Sequence, residues 1–170
     1  LVVVPRNKLS RDKIITDRKS LAAILFGLKA QGKVIVLTNG VYDLLHVGHV
    51  RCLEDARSRG DFLVVAVNSD DSTERGKGKG HPVVPAKERM EVLAAIGSVD
   101  YVTQFDEDTA DALIEQLKPN VYAKGTEYTL KTLPERDTLK KHEIKAIFVG
   151  DKKTHSSSKL IEKIKKKKFG

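Results

Sequence analysis

Short apolar runs alternate along this chain with segments whose apolar residues recur every three or four positions. Residues 33–38, 62–67, 99–103, 121–123 and 144–149 are continuous or nearly continuous runs dominated by Val, Ile, Leu, Tyr and Ala. Runs of that length and composition predict strands buried on both faces. Between them, Leu21, Ile24, Leu25 and Leu28 stand at helical spacing, with Ser20 as the expected cap and Gly32 as the stop. Val50, Leu53 and Ala56 define a second helix over residues 47–59, ended by Gly60. Pro85 opens a third, reaching residue 96 through Met90 and Leu93, and a fourth starts at Asp108 or Thr109 and runs to Lys118. A last helix follows a hydroxyl-rich cap at residues 154–158. Residues 8–19 are expected to form an irregular arm, residues 75–82 a glycine-rich loop, and residues 124–143 a long polar connection.

Strand and helix in alternation predict an α/β fold: a parallel sheet of about five strands with helices on both faces. Ligands of such sheets bind in the crevice beyond the strands' carboxyl ends. A single domain is expected over residues 1–170, comprising an arm and helix (1–32), a catalytic core (33–158) and a terminal helix with a basic tail (159–170).

Composition narrows the function. At 170 residues and 40% hydrophobic, the chain is long enough and apolar enough for an ordinary core. Cys52 is the single cysteine, which excludes an internal disulfide and suits a reducing cytoplasm. No apolar run approaches a membrane span, and residues 1–5 are too short for a signal peptide. The net charge of +8 suggests nucleic acid until it is located. Six lysines against Glu162 lie between Lys159 and Lys168, leaving only +3 for everything else. Such a tail complements a helix C-terminus, so neither nucleic acid nor membrane is the expected partner. The chain begins at Leu1 and holds one methionine, Met90, so the native start is expected upstream.

The chemistry concentrates where the first strand turns into the second helix. Residues 37–49 read Leu-Thr-Asn-Gly-Val-Tyr-Asp-Leu-Leu-His-Val-Gly-His. Free N–H groups and the dipole at a helix start favour anions. His46 and His49, one turn apart, can donate ring N–H groups to the same phosphate. Gly48 lets a nucleotide approach the backbone. No set of Cys, His and carboxylates with metal-ligand spacing surrounds them, so no protein metal site is expected.

Residues 33–128 closely resemble the cytidylyltransferase-like nucleotidyltransferases, whose hallmark is His-x-Gly-His on a Rossmann-like fold. The match runs through residues 38–49, 60–61, 65–70, 82–83, 88–93, 99–102, 105–109 and 124–125. Within that family the sequence is most similar to the adenylyltransferase domain of ADP-heptose synthases. The resemblance implies transfer of AMP from ATP to D-glycero-β-D-manno-heptose 1-phosphate, with Mg²⁺ bound mainly through the nucleotide phosphates, and a homodimer. The alternatives are a cytidylyltransferase acting on glycerol 3-phosphate or a related alcohol phosphate, and, in another class, a nucleotide-sensing or RNA-binding module.

The same resemblance assigns roles. His46, His49 and Lys77 would be catalytic. Asn39, Gly40, Val41, Tyr42, Gly48, Arg89, Lys124 and Gly125 would contact the nucleotide, together with Ser156, Ser157 and Ser158. Asp43, Asp70 and Lys77 would contact the acceptor. The sequence departs from the family pattern at His81, at Thr126 and Glu127, and at Lys152 and Lys153.

Overall fold

The computed structural model describes residues 9–151 and 157–167. Five parallel strands form one sheet: β1 (Ile35–Gly40), β2 (Phe62–Asn68), β3 (Tyr101–Phe105), β4 (Val121–Gly125) and β5 (Lys145–Val149). Their spatial order is β3-β2-β1-β4-β5. The helices are α1 (Arg18–Ala30), α2 (Val47–Arg57), α3 (Asp70–Lys77), α4 (Ala86–Ala95), α5 (Asp111–Leu117), α6 (Arg136–Lys141) and α7 (Ser157–Lys166).

Alternation along each strand divides the core in two, because successive side chains point to opposite faces. Ile35, Leu37, Val64, Ala66 and Tyr122 face one layer, where they meet Leu21 and Leu25 of α1 and Leu113, Ile114 and Leu117 of α5. Val36, Val65, Val67, Val102 and Ala123 face the other, with Leu53 and Ala56 of α2 and Met90 and Leu93 of α4. Both layers exclude water, which is why the strands read as unbroken apolar runs.

Where β1 meets β2, Gly60 is obligatory. A Cβ there would lie 2.7 Å from Val36 Cγ2 and 2.9 Å from the Val34 carbonyl oxygen. The glycine thus lets the end of α2 turn back closely enough to set β2 beside β1, in the register Asn39 to Ala66.

Several elements differ from the sequence expectation. The arm is not irregular: a 3₁₀ turn at Ser10–Lys13 leads to Ile14, which bridges Val102 on the sheet edge. Ile15 N–H donates to Val102 O at 2.8 Å and Lys13 Nζ to Val99 O at 2.7 Å, so the arm covers the edge of β3. The cap of α1 is Asp17, whose side chain accepts from the Ser20 amide at 3.0 Å. Residues 75–77, assigned to a loop because of their glycine run, complete α3, which is capped by Ser69. The polar connection after β4 contains α6.

β1 lies at the topological switch point. From it the chain steps to β2 and β3 on one side and later to β4 and β5 on the other. A crevice opens there at the carboxyl edge, as such sheets require.

Candidate active site

The crevice is a cavity of about 440 Å³. Thr38, Asn39 and Gly40 at the end of β1 form its floor, and the loop into α2 brings Val41 and Tyr42 to its wall. Tyr42 is buried and takes a left-handed conformation, φ 52°. Its ring lies against Gly40, where an added Cβ would stand 3.0 Å from Tyr42 Cε2. Glycine at 40 therefore admits the ring that in turn packs edge-on against His49, with centroids 5.3 Å apart.

His46 is the N-cap of α2 and His49 is its third residue. The rings stack at 3.9 Å between centroids with planes 24° apart. The His46 backbone N–H donates to His49 Nδ1 at 3.3 Å. That bond requires an unprotonated Nδ1, so neutral His49 carries its proton on Nε2. Gly48 lies between them on the cavity wall. Both imidazoles thus sit at the positive end of a helix, the arrangement that holds phosphate.

Cations arrive from other elements. Lys77, at the end of α3, and Arg51, on α2, line the cavity, and Arg51 pairs with Asp151 at 2.9 Å. Lys124, at the end of β4, is half-buried; its Nζ donates to Asn39 Oδ1 at 3.0 Å and lies 5.0 Å from the Tyr128 ring centroid. Burial lowers its pKa, opposed by the Glu135 and Glu127 carboxylates. Gly125 follows it on the wall. Ser157 lines the cavity and donates from Oγ to Leu44 O at 2.7 Å, tying the start of α7 to the loop before His46.

Three assigned residues stand elsewhere. Arg89 is buried, and its guanidinium donates to Val84 O at 2.8 Å, to Val41 O, and to Asp70 Oδ1 at 2.6 Å. It is therefore committed inside the protein, holding the carbonyl of a cavity-wall residue from behind and not contacting the cavity. Asp70 accepts from Arg89 and from the Ala86 amide at 2.8 Å, which makes it a clasp between α3 and α4. Asp43 is also buried: Oδ1 accepts from the Val83 and Val84 amides at 2.8 and 2.9 Å, and Oδ2 lies 3.4 Å from His81 Nδ1. Burial raises its pKa, but the two amides, His81 and the nearby Arg89 charge outweigh that and hold it below the usual carboxylate range. Asp43 and Asp70 thus fasten the loop after α3, and neither lines the crevice at the histidines; Asp70 borders a separate hollow with His81 and Pro82.

Ser156 lies outside the described residues, as do Thr154, Lys152 and Lys153. Ser158 belongs to the first turn of α7. Of the departures from the family pattern, Thr126 and Glu127 line the cavity.

The site also draws on residues that sequence reading missed. Tyr122 is buried behind the cavity lining and donates from Oη to Asn39 Oδ1 at 2.6 Å. Glu135 is buried at the wall, accepting the Ala110 amide at 3.2 Å. Cys52 lines the cavity with its thiol pushed up to about 11, by burial first and then by Glu127 and Asp55. Cys52 carried a sequence signal, since it follows His49 by three residues on the same helix and so shares its face, and Arg51 lies beside it. Tyr122 reaches the site on β4 and Glu135 on the connection after it, at the start of α6.

The profile of the cytidylyltransferase-like proteins matches residues 37–168, a span that opens on β1 and contains both histidines. The chain belongs to the cytidylyltransferase-like family. It is a nucleotidyltransferase. Among curated relatives of this cytidylyltransferase-like chain are the bifunctional proteins HldE of Geobacter sulfurreducens, 47% identical over 155 residues, and of Geobacter metallireducens, 44% identical over 153. These alignments cover 91% and 90% of this chain but 32% and 31% of the relatives, so the chain spans about a third of their length. A solved lipopolysaccharide core biosynthesis protein from Thermoplasma volcanium superposes with a TM-score of 0.61 at 26% identity, covering 71% of this chain and 99% of that one.

Proposed function

We propose that this nucleotidyltransferase moves AMP from ATP to D-glycero-β-D-manno-heptose 1-phosphate, yielding ADP-heptose and pyrophosphate. The observation that carries the proposal is the stacked pair His46 and His49 at the start of α2, facing a cavity that also holds Lys77 and Lys124. The acceptor is inferred from the resemblance to ADP-heptose synthases and agrees with the lipopolysaccharide assignment of the Thermoplasma protein.

A phosphate oxygen of the acceptor attacks the α-phosphorus of ATP. The new P–O bond forms as the bond from the α-phosphorus to the bridging oxygen breaks, and its electron pair leaves with pyrophosphate. The protein's part is alignment and charge stabilisation. The α2 amides and the histidine N–H groups meet the charge that grows on the leaving oxygens. Lys77 approaches from α3 and Lys124 from β4, so phosphate oxygens between them are neutralised from two sides. Tyr42 and Gly48 shape the wall that keeps water from competing.

The cavity suits a nucleotide-borne Mg²⁺. Asp108, Glu127 and Asp151 lie on its wall, and among the described residues no three His, Cys, Asp or Glu converge as a ligand set of their own. Such an ion takes most of its ligands from phosphate and water, and bound there it would neutralise part of the triphosphate charge. An ATP-dependent synthesis of this kind belongs in the cytoplasm; among the described residues no helix is long and apolar enough to cross a membrane.

The test is a matrix of ATP and CTP against heptose 1-phosphate, other sugar 1-phosphates and glycerol 3-phosphate, with products identified by mass spectrometry. ADP-heptose as the dominant product supports the proposal. CDP-glycerol as the dominant product would replace both substrates while leaving the reaction type intact.

A further inference from the structure

Asn39 lines the cavity at the end of β1, and two donors converge on its side-chain oxygen. Tyr122 Oη donates to Oδ1 at 2.6 Å and Lys124 Nζ donates to it at 3.0 Å. An amide oxygen has two lone pairs, so these bonds occupy its accepting capacity and remove the ambiguity between oxygen and nitrogen. A flipped side chain would set its NH₂ against the Lys124 ammonium, donor against donor, so Lys124 is the group that fixes the orientation and Tyr122 adds the second accepted bond. Among the described residues the amide nitrogen has no hydrogen-bond partner, although the residue lines the cavity. Tyr122 itself is fully buried on β4, its ring in the core layer shared with α1 and α5.

We infer that Tyr122 and Lys124 lock Asn39 so that its amide N–H₂ is presented to the cavity as a donor to a phosphate oxygen of the nucleotide. This deepens, and rests on, the nucleotidyl-transfer reading of the same cavity. Asn39 directly precedes Gly40 and the loop that carries the histidines, so its amide sits on the same edge of the sheet as the α2 phosphate site. Tyr122 is a positioning residue: it acts on the nucleotide through Asn39. A neutral donor so fixed adds hydrogen bonding without adding charge, and its geometry is set before the ligand arrives. Lys124 thereby has two tasks, supplying positive charge and fixing the amide.

The inference is tested by binding, since binding does not depend on knowing the acceptor. ATP with Mg²⁺ is titrated calorimetrically into the wild type, Asn39→Ala, Asn39→Asp and Tyr122→Phe, each checked for an unchanged thermal unfolding transition. Aspartate keeps both accepted bonds but replaces the donor with a carboxylate oxygen facing phosphate, whereas alanine loses the bonds and the donor alike. The expected order of damage is therefore aspartate above alanine, with Kd raised about 100-fold and about 10-fold, and Tyr122→Phe raised about 5-fold. If Asn39 only braced Tyr122 and Lys124, aspartate would bind ATP better than alanine, and that order would overturn the inference. Equal Kd values across the four proteins would overturn it too. Pyrophosphate release with acceptor present is measured separately: ATP binding without release would refute the transfer reading yet leave the variant order to decide the role of Asn39. No ATP binding by the wild type would refute both.

Discussion

The backbone N–H of His46 donates to Nδ1 of His49, 3.3 Å away, so the helix start places the proton of the neutral second histidine on Nε2. The two nitrogens of His49 therefore have separable tasks, and substitutions can divide them. Asn at position 49 can supply an acceptor near Nδ1 but no donor at the Nε2 position; Gln can place an amide donor near Nε2. His49→Asn is expected to keep the wild-type unfolding temperature and lose about 10²–10³ in kcat. His49→Gln is expected to retain more activity than His49→Asn. Steady-state pyrophosphate assays on the two variants check the order.

Arg89 should behave as a structural residue. Its side chain is fully buried and bonded to Val41, Val84 and Asp70. Arg89→Ala leaves those carbonyls and a carboxylate without their partner, which costs about 2–4 kcal/mol. A chemical-denaturation midpoint that falls accordingly, with residual activity tracking the folded fraction, is the expected result. Full stability with a selective rise in the KM for ATP would instead restore the direct nucleotide contact.

What could be read from the sequence, and what could not, follows from the range of the interactions. The strands were legible because burial on both faces leaves only apolar residues, and the histidine motif because all its parts lie within thirteen consecutive positions. The burial of Arg89 was not legible because a charge on an amphipathic helix gives no sign of whether it faces solvent or three distant acceptors. The end of α3 was hidden by Gly76 and the C-cap Gly78, which weaken helix propensity while the Ser69 cap and the buried Ser72 and Thr73 sustain it. The short α6 falls in a stretch whose apolar residues are too few for a period. Tyr122 and Glu135 come to the site only because β4 crosses back beside β1, and no local spacing encodes that pairing.

Cys52 should be a slow nucleophile despite lining the cavity. Its thiol, pushed up to about 11, is almost wholly protonated near neutrality. Alkylation by iodoacetamide at pH 7.5 is expected to run roughly 100-fold slower than for an ordinary cysteine, and to accelerate as pH rises toward 11. Mass spectrometry of timed aliquots measures it, and rapid labelling at pH 7.5 would contradict the assignment.

The pair of Arg18 and Glu107 gives the fold a pH signature. Two hydrogen bonds of 2.7 Å from the guanidinium, opposed by partial burial, hold the Glu107 carboxyl near 2. Because the folded pKa is depressed, this stabilisation is present above the unfolded value and disappears as pH falls toward 2. Both groups are partly exposed, so the gain is about 1 kcal/mol or less. Glu107→Gln is expected to lower the unfolding temperature at pH 7 and to converge on the wild type between about pH 4 and pH 2. A difference that persists unchanged at pH 2 would mean that the effect is not ionic.

The central claim is that His46 and His49 stabilise the leaving pyrophosphate during nucleotidyl transfer. The most direct measurement is pyrophosphate release from Mg²⁺-ATP and heptose 1-phosphate by the wild type, His46→Ala and His49→Ala, with folding checked in each. The account expects release by the wild type and a fall in kcat of about 10²–10³ in each variant. No release by the wild type, or near-wild-type kcat in either variant, would contradict it.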